Sequence, residues 1–394
     1  MGLIRRIADV FDPPREQRAQ EISWDALRGG IDTGSAIVNA RTAENLSTVM
    51  ACVGAISTAM ASLPAYVYRR LEKGREIDET HAVARLIANG PNAHQSWPDW
   101  MEWVFASVLL RGNALSEIIH DARGAVVGLV PIPWEFCSVQ LLPSGRLAYD
   151  VSQVTSINGG TGKPRRLLQD EVFHLRDRSD DGLLGRSRLQ RAAAVVSAGL
   201  SIQEFGNSLY RNGVNPSGAL FLTGKVGDIE LERIANNVKE NFAGPSKTGR
   251  VMVLGGGEMK WQQISISPED AEFLASRRFA TEELCRLFSV PPPIAGDLTH
   301  GTFSNTETLV RLFATNTLTP WVRKLECEFS RSVFSAASRN THSLELDLSG
   351  LLRGDPEQRW RSYEIAVKNN ILDVDEVREA EGYNPHPRRE AAIA

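Results

Sequence analysis

Cysteine is scarce and scattered. Cys52, Cys137, Cys285 and Cys327 are the four in the chain, with no CxxC pair and no histidine at ligand spacing. That argues against a structural zinc site and predicts reduced, mostly buried thiols. Positive charge is not in excess either, with 44 Lys and Arg against 48 Asp and Glu and a net charge of −4. A protein that grips nucleic acid by neutralising phosphates should be basic, so this chain either ignores nucleic acid or lets it slide past. No charged segment leads into an apolar one as in a signal peptide; residues 3–11 read as a short amphipathic arm or a docking helix. A lipid-compatible hydrophobic run is also missing. Residues 45–68 lack charge, but Ser47, Thr48, Gly54, Ser57, Thr58, Ser62 and Pro64 interrupt them. Leu46, Val49, Met50, Val53, Ile56, Met60 and Leu63 instead follow helical spacing, which predicts a buried helix ending at Pro64 and then a strand, AYVYRR. A membrane anchor over 45–68 is the rival reading of this stretch.

Catalytic signatures are equally thin. HExxH, GxSxG, a Walker pair and GxGxxG at a strand–helix turn are all absent. The run Gly159-Gly160-Thr161-Gly162-Lys163 fails as a phosphate loop, because Ile157 holds the first glycine position and Pro164 that of the Ser or Thr. Asp32-Thr33-Gly34-Ser35-Ala36 spells an aspartic-peptidase signature, yet it occurs once and follows no apolar strand, whereas such enzymes need two loops to pair their carboxylates. The seven histidines show no cluster. No catalytic residue, metal site or cofactor is expected, with a monomeric aspartic-type peptidase as the enzymatic alternative.

What is present is helix. Ser267 caps a helix over 268–290 with Pro268, Glu269 and Asp270 in its first turn, and Pro291-Pro292-Pro293 stops it. About a dozen residues of loop follow, then Ser304 and Glu307 form a capping box for a helix over 304–335 that Pro320 should kink. Another helix is predicted from about Ser187 to Asn212; its Ala, Ser and Gly content predicts close packing. Between these rods lies a small unit: strand GALFLT, a helix capped by Asp228, strand RVMVL and strand MKWQQISI with a bulge near Gln262–Gln263. Earlier, the helix WPDWMEWVFASVLLRG and strands ALSEIIHD, AVVGLVPIP, CSVQLLP, LAYDV and EVFHLR alternate with turns; SLELDLS and two short helices close the chain.

Several of these strings occur together and in order: ASLPAYVYRR, LLRGNALSEI, EVFHLRDRSDDGLLGRSRLQ, YRNGVNPSGAL, RLFSVPPPIAGDLTHGTFSNTE, TLTPW and NNILDVDEVREAEGYNP. In that order they resemble the portal proteins of tailed phages, of the short siphophage type that includes prophage and gene-transfer-agent portals. The resemblance covers residues 40–385 and implies an α-rich α+β subunit, not an enzyme. Its implied parts are an N-terminal arm (1–39), a wing (40–186 and 307–349), stem helices (187–216 and 264–293), a clip (217–263), a tunnel loop (294–306) and a C-terminal crown (350–394). It further implies a homo-oligomeric ring, a dodecamer, at one vertex of the capsid of a virion or gene-transfer-agent particle assembled in the bacterial cytoplasm. The implied partners are double-stranded DNA in the channel, the major capsid protein, the terminase large subunit and a head-completion or adaptor protein, without a membrane. Asp297, Leu298, Thr299, His300, Gly301 and Thr302 would form the tunnel loop. Arg277, Arg278 and Glu282 would face the channel or a neighbouring subunit. Glu232, Lys239, Lys247 and Arg250 would face terminase or adaptor. Another, non-portal capsid protein is the remaining alternative.

Overall fold

Side-chain chemistry sets the element boundaries, as the helix Trp97–Arg111 illustrates. The Ser96 hydroxyl accepts from the Asp99 amide while the Asp99 carboxylate takes the Ser96 amide, and Gly112 ends the helix in the left-handed region at φ 82°. The computed structural model describes residues 31–33, 37–152, 164–212, 218–222, 259–263, 268–298, 306–349, 356–381 and 383.

The described elements run β1 (Ile31–Asp32), β2 (Ile37–Val38), α1 (Ala40–Ala43), α2 (Ser47–Ser62), β3 (Ala65–Arg70), β4 (Arg75–Ile77), α3 (Ala82–Asn89), α4 (Trp97–Arg111), β5 (Asn113–His120), β6 (Val126–Ile132), β7 (Cys137–Leu141), β8 (Leu147–Val151), β9 (Arg165–Leu168) and β10 (Val172–Arg176). Then follow α5 (Arg188–Arg191), α6 (Ala193–Asn212), β11 (Gly218–Leu222), β12 (Met259–Gln263), α7 (Pro268–Phe288), α8 (Thr306–Phe313), α9 (Thr319–Glu328), β13 (His342–Leu346), α10 (Pro356–Lys368) and α11 (Val374–Ala380). Every sheet is antiparallel: β10-β5-β6, β13-β3-β4, β7-β8-β9 and the pairs β1-β2 and β11-β12. In the second sheet Leu344 pairs with Val67, so a strand near the end of the chain closes a sheet begun near its start.

One core joins these pieces. Val49, Cys52, Val53, Ile56 and Met60 of α2 are buried with Trp100, Val104, Phe105 and Val108 of α4 and with Trp321, Leu325 and Phe329 of the 306–333 segment. Ring centroids of Trp97–Trp100, Trp100–Phe173 and Phe173–Phe329 lie 5.3, 5.5 and 5.2 Å apart, within the range that favours aromatic pairs. A smaller cluster around Tyr149, Val139, Trp134 and Leu184 supports the β7-β8-β9 sheet. No described helix is long and apolar enough to cross a membrane; α2 is spent on the core.

Several expectations need correction. The single helix from Ser187 is broken: α5 ends at Arg191, and the φ of −112° and ψ of 35° at Ala192 leave the helical region before α6 begins. Ser187 and Arg188 are held from outside the helix, the hydroxyl donating to the Leu110 carbonyl and the guanidinium to Asp177, which turns the first residues away from the axis of α6. The helix before the prolines stops at Phe288, two residues early. Ser289 takes φ 60° and the Val290 amide reaches back to the Cys285 carbonyl, a Schellman-type closure. Pro291 disfavours helical geometry at Val290 and so drives it. No bulge occurs at Gln262–Gln263, because β12 pairs in unbroken register from Gly218–Gln263 to Leu222–Met259. The helix after the loop is described from Thr306 and contains two π stretches, 314–318 and 329–333. Pro320 has no amide to donate, and the helix widens just before it, with the Thr319 amide bonding the Ala314 carbonyl. Finally, two histidines do meet: the rings of His81 and His342 lie 4.7 Å apart, and His342 Nε2 is 3.1 Å from Asp78 Oδ2.

Candidate functional site: the paired helices and their anchorage

Small residues let α6 and α7 approach closely. A Cβ on Gly206 of α6 would sit 3.2 Å from Phe273 Cζ of α7, and one on Gly199 would sit 3.4 Å from Leu46 Cδ1. The rings of Phe205 and Phe273 pack across the pair, centroids 5.4 Å apart and planes tilted by 60°. The C-terminal turns of α7 are buried through Leu284, Cys285 and Phe288, but every residue from Leu274 to Phe279 is exposed. Leu274 is 58% exposed, Phe279 55% and Phe205 59%. Apolar side chains of that size thus stand in water on the helix pair.

Arg277 and Arg278 lie in this exposed stretch. Glu282 does not pair with them; it accepts from Arg286 at 2.7 Å, one turn on, and the Arg286 guanidinium lies over the Phe279 ring. The sequence grouped three residues, and the structure sets two toward solvent and turns the third along its own helix.

Past Phe288 the chain does not become a free loop at once. The amides of Ile294, Gly296 and Asp297 donate to the carbonyls of Pro291, Pro293 and Pro292 at 2.9, 3.2 and 2.9 Å, and Ile294 and Ala295 pack on the core. Asp297 therefore closes a fixed turn in which Gly296 is exposed, and Leu298 after it is 71% accessible. Thr299, His300, Gly301 and Thr302 lie outside the described residues, as do Glu232, Lys239, Lys247, Arg250 and residues 3–11.

Sequence reasoning missed what ties this pair to the rest. Arg188 Nε donates to Asp177 Oδ2 at 3.0 Å and Nη1 donates to the Phe288 carbonyl at 3.1 Å, while the guanidinium stands over the Trp321 ring. A cation on the last carbonyls of α7 also complements its negative helix end. Beneath Arg188 two glycines cross. The Gly112 carbonyl accepts the Asp177 amide at 2.9 Å, and a Cβ on Gly185 would fall 1.9 Å from that same oxygen. The strings LLRGN and GLLGRS, read apart in the sequence, are two sides of one contact.

A buried polar chain continues from the crossing. Asn113 brackets Gly185, donating to its carbonyl at 2.7 Å and accepting its amide at 2.9 Å. Its Oδ1 also lies 2.9 Å from His174 Nε2, and His174 Nδ1 is 2.9 Å from the Tyr149 hydroxyl. An amide oxygen can only accept, so Nε2 carries the proton and Nδ1 accepts from Tyr149, which fixes the neutral tautomer. Burial, then Arg176 and Arg331, hold His174 well below the ordinary imidazole range. The sign follows. Below about pH 6.5 the unfolded chain takes up a proton that the native imidazole refuses, so stability present above that pH is lost as pH falls. The expected slope from this residue is about 1.4 kcal/mol per pH unit across the window. His81, lowered by burial and by His342, acts in the same direction. Thermal melts of wild type and His174→Gln between about pH 6.5 and 5 should show the shallower slope in the variant; equal slopes would contradict the assignment.

Asp32 stands on the two-residue strand β1, and the Thr33 hydroxyl bonds to that of Ser197 on α6. This places Thr33 of the DTG string against a helix. No group of three or more potential metal ligands occurs among the described residues.

Residues 47–382 match the family described as phage portal protein. The chain is 27% identical over 366 residues to the portal protein of Enterobacteria phage HK97, covering 91% of this chain and 84% of that one. Among solved structures it resembles a chain of the neck of an empty gene-transfer-agent particle computed with sixfold symmetry, at a TM-score of 0.62 and 22% identity, covering 88% of this chain and 92% of that one. A chain of the neck of the native particle, computed with twelvefold symmetry, gives 0.58 and 21% over the same shares.

Proposed function

Because the chain belongs to the phage portal protein family, we propose that its copies close into a ring, a dodecamer, at one capsid vertex of a phage or gene-transfer-agent particle. The α6–α7 pair forms the stem around a central channel, through which double-stranded DNA enters and leaves. The loop beginning at Leu298 reaches into that channel as the tunnel loop, and the segment 217–263 is the clip, which meets the terminase large subunit and later an adaptor protein. The wing, 40–186 with 307–349, faces the major capsid protein, and 350–394 form a small crown. The role is structural, not enzymatic.

The observation that carries this reading is the uncovered apolar surface of the stem pair. Phe205, Leu274 and Phe279 stand in solvent on the single chain, whereas a ring lays each pair against its neighbour and covers them. Trp360, Ile365 and Ile371 in and beside α10 are likewise exposed, as a crown packed between subunits requires. Charge fits as well: at −4 per chain, the subunit offers phosphates little to adhere to, which suits a passage more than a grip. Arg277 and Arg278, exposed on α7, serve either the channel wall or a neighbouring subunit.

Phe279→Lys tests the stem. Truncating or charging a central buried apolar contact costs an interface about 2 kcal/mol or more, roughly thirtyfold in affinity per contact. The variant should keep its circular dichroism and lose rings, seen by analytical ultracentrifugation. Rings as stable as those of wild type would remove Phe279 from the interface.

A further inference from the structure

Two thiols that no spacing in the sequence connects meet at the base of the stem. Cys52, midway along α2, holds its Sγ 3.9 Å from the Sγ of Cys285 near the end of α7, across 233 residues of chain. Both are fully buried. One helix belongs to the core of the wing and the other is the stem, so the pair spans their junction. We propose that Cys52 and Cys285 are a site of oxidative modification, a dithiol that closes to a disulfide and pins α7 to α2.

Geometry permits the closure. A disulfide needs its sulfurs about 2 Å apart, so the two must approach by about as much again, within the reach of side-chain rotation on two packed helices. The two sulfurs are also not equivalent. Cys52 donates its thiol proton toward Cys285; that hydrogen bond lowers Cys285 below the ordinary thiol range against burial and the carboxylates of Asp297 and Glu282. The same bond, with burial, raises Cys52. The shift makes Cys285 the readier nucleophile, and at 3.9 Å either sulfur can resolve oxidation at the other; the step is written with Cys285 oxidised first.

With a peroxide as oxidant the step balances. The Cys285 sulfur takes one oxygen of hydrogen peroxide, becomes a sulfenic acid and releases one water. The Cys52 sulfur then attacks it, the S–O bond breaks, and the hydroxyl leaves as a second water with the Cys52 proton. The dithiol gives up two electrons and two hydrogens, and the peroxide gains both. A particle formed inside a cell and then released passes from reducing to oxidising surroundings. The bond would thus form after assembly, locking the stem to the wing in the finished particle. That timing rests on the ring reading; the thiol chemistry does not.

The full-length protein, reduced and then treated with hydrogen peroxide, provides the test. It is unfolded in an alkylating reagent and digested with trypsin without reduction. Peptides 42–69 and 279–286 carry the two cysteines, and they should appear as one species lighter by two hydrogens than their sum, split by reductant. The exposed Cys327, replaced in a Cys327→Ser background to remove intermolecular links, reports the peroxide dose in wild type. The linked species should vanish in Cys52→Ser and Cys285→Ser. In wild type, oxidation should also raise the melting temperature by several degrees, a readout that does not need the variants to fold. If a dose that fully modifies Cys327 leaves both peptides separate and alkylated, the two thiols are merely packed and the proposal fails. Linked peptides from a protein that forms no ring would sink the channel reading alone; rings without linked peptides would sink only this one.

Discussion

Gly185→Ala should leave little folded protein. A methyl group there would sit 1.9 Å from the Gly112 carbonyl oxygen and 2.8 Å from the Asp177 amide, both of them backbone. Neither neighbour can step aside by a side-chain rotation, and Gly112 is itself confined, since a Cβ on it would meet the Ser187 amide at 2.5 Å. Relief would separate β5 from the 177–188 segment, break the Asp177–Gly112 hydrogen bond and unseat Asn113, whose bonds to Gly185 lead on to His174 and Tyr149. Losing a buried network together with a backbone clash belongs to the rare class of substitutions costing more than about 4 kcal/mol, against a typical total near 5–15 kcal/mol. Gly182→Ala is the matched control. It lies in the same segment at φ 76° with nothing within 4 Å, so it should cost only the left-handed strain of about 1–2 kcal/mol. Soluble yield and thermal melting decide; a Gly185→Ala protein as stable as the Gly182→Ala one would contradict the crossing.

Deleting residues 298–302 should leave rings intact and cripple DNA packaging. The hydrogen-bonded turn closed by Asp297 ends just before the deletion, and its packing on the core through Ile294 and Ala295 is untouched. Subunit folding and ring closure should therefore survive. What goes is the exposed Leu298 and the run Thr299-His300-Gly301-Thr302, short polar groups suited to loose contact with a moving duplex and lacking the cations that would add salt-dependent friction. DNA per particle, measured by nuclease-protected content, should fall well below that of wild type. Normal packaging by the deletion would remove this loop from the mechanism.

The sequence exposed the parts and hid their meetings. Gly112 announced the end of α4, because capping is local chemistry over a few residues, while the Ser96–Asp99 box at its start was seen only in the structure. The strand AYVYRR was legible residue for residue, since Pro64 fixes its start. The three prolines announced a stop, but its position, two residues earlier, depended on Ser289 accepting a left-handed backbone, which glycine would have signalled and serine does not. The contacts that define the site are different in kind. Gly112 with Gly185, Arg188 with the end of α7, His81 with His342 and Cys52 with Cys285 join residues 73 to 261 positions apart in the chain, where no periodicity links them. The portal-like strings did mark the first two of these pairs, as LLRGN and GLLGRS show, though not the reason. The exposure of the stem's apolar residues was hidden as well, because helical spacing of Leu274 and Phe279 does not tell a core face from one left in water.

Electron microscopy of the purified wild-type protein, imaged by negative stain over a range of concentrations, tests the central claim most directly. Closed annuli with rotational symmetry and an axial hole are the predicted result. Well-folded protein that stays monomeric, or associates without a central opening at every concentration, would contradict it.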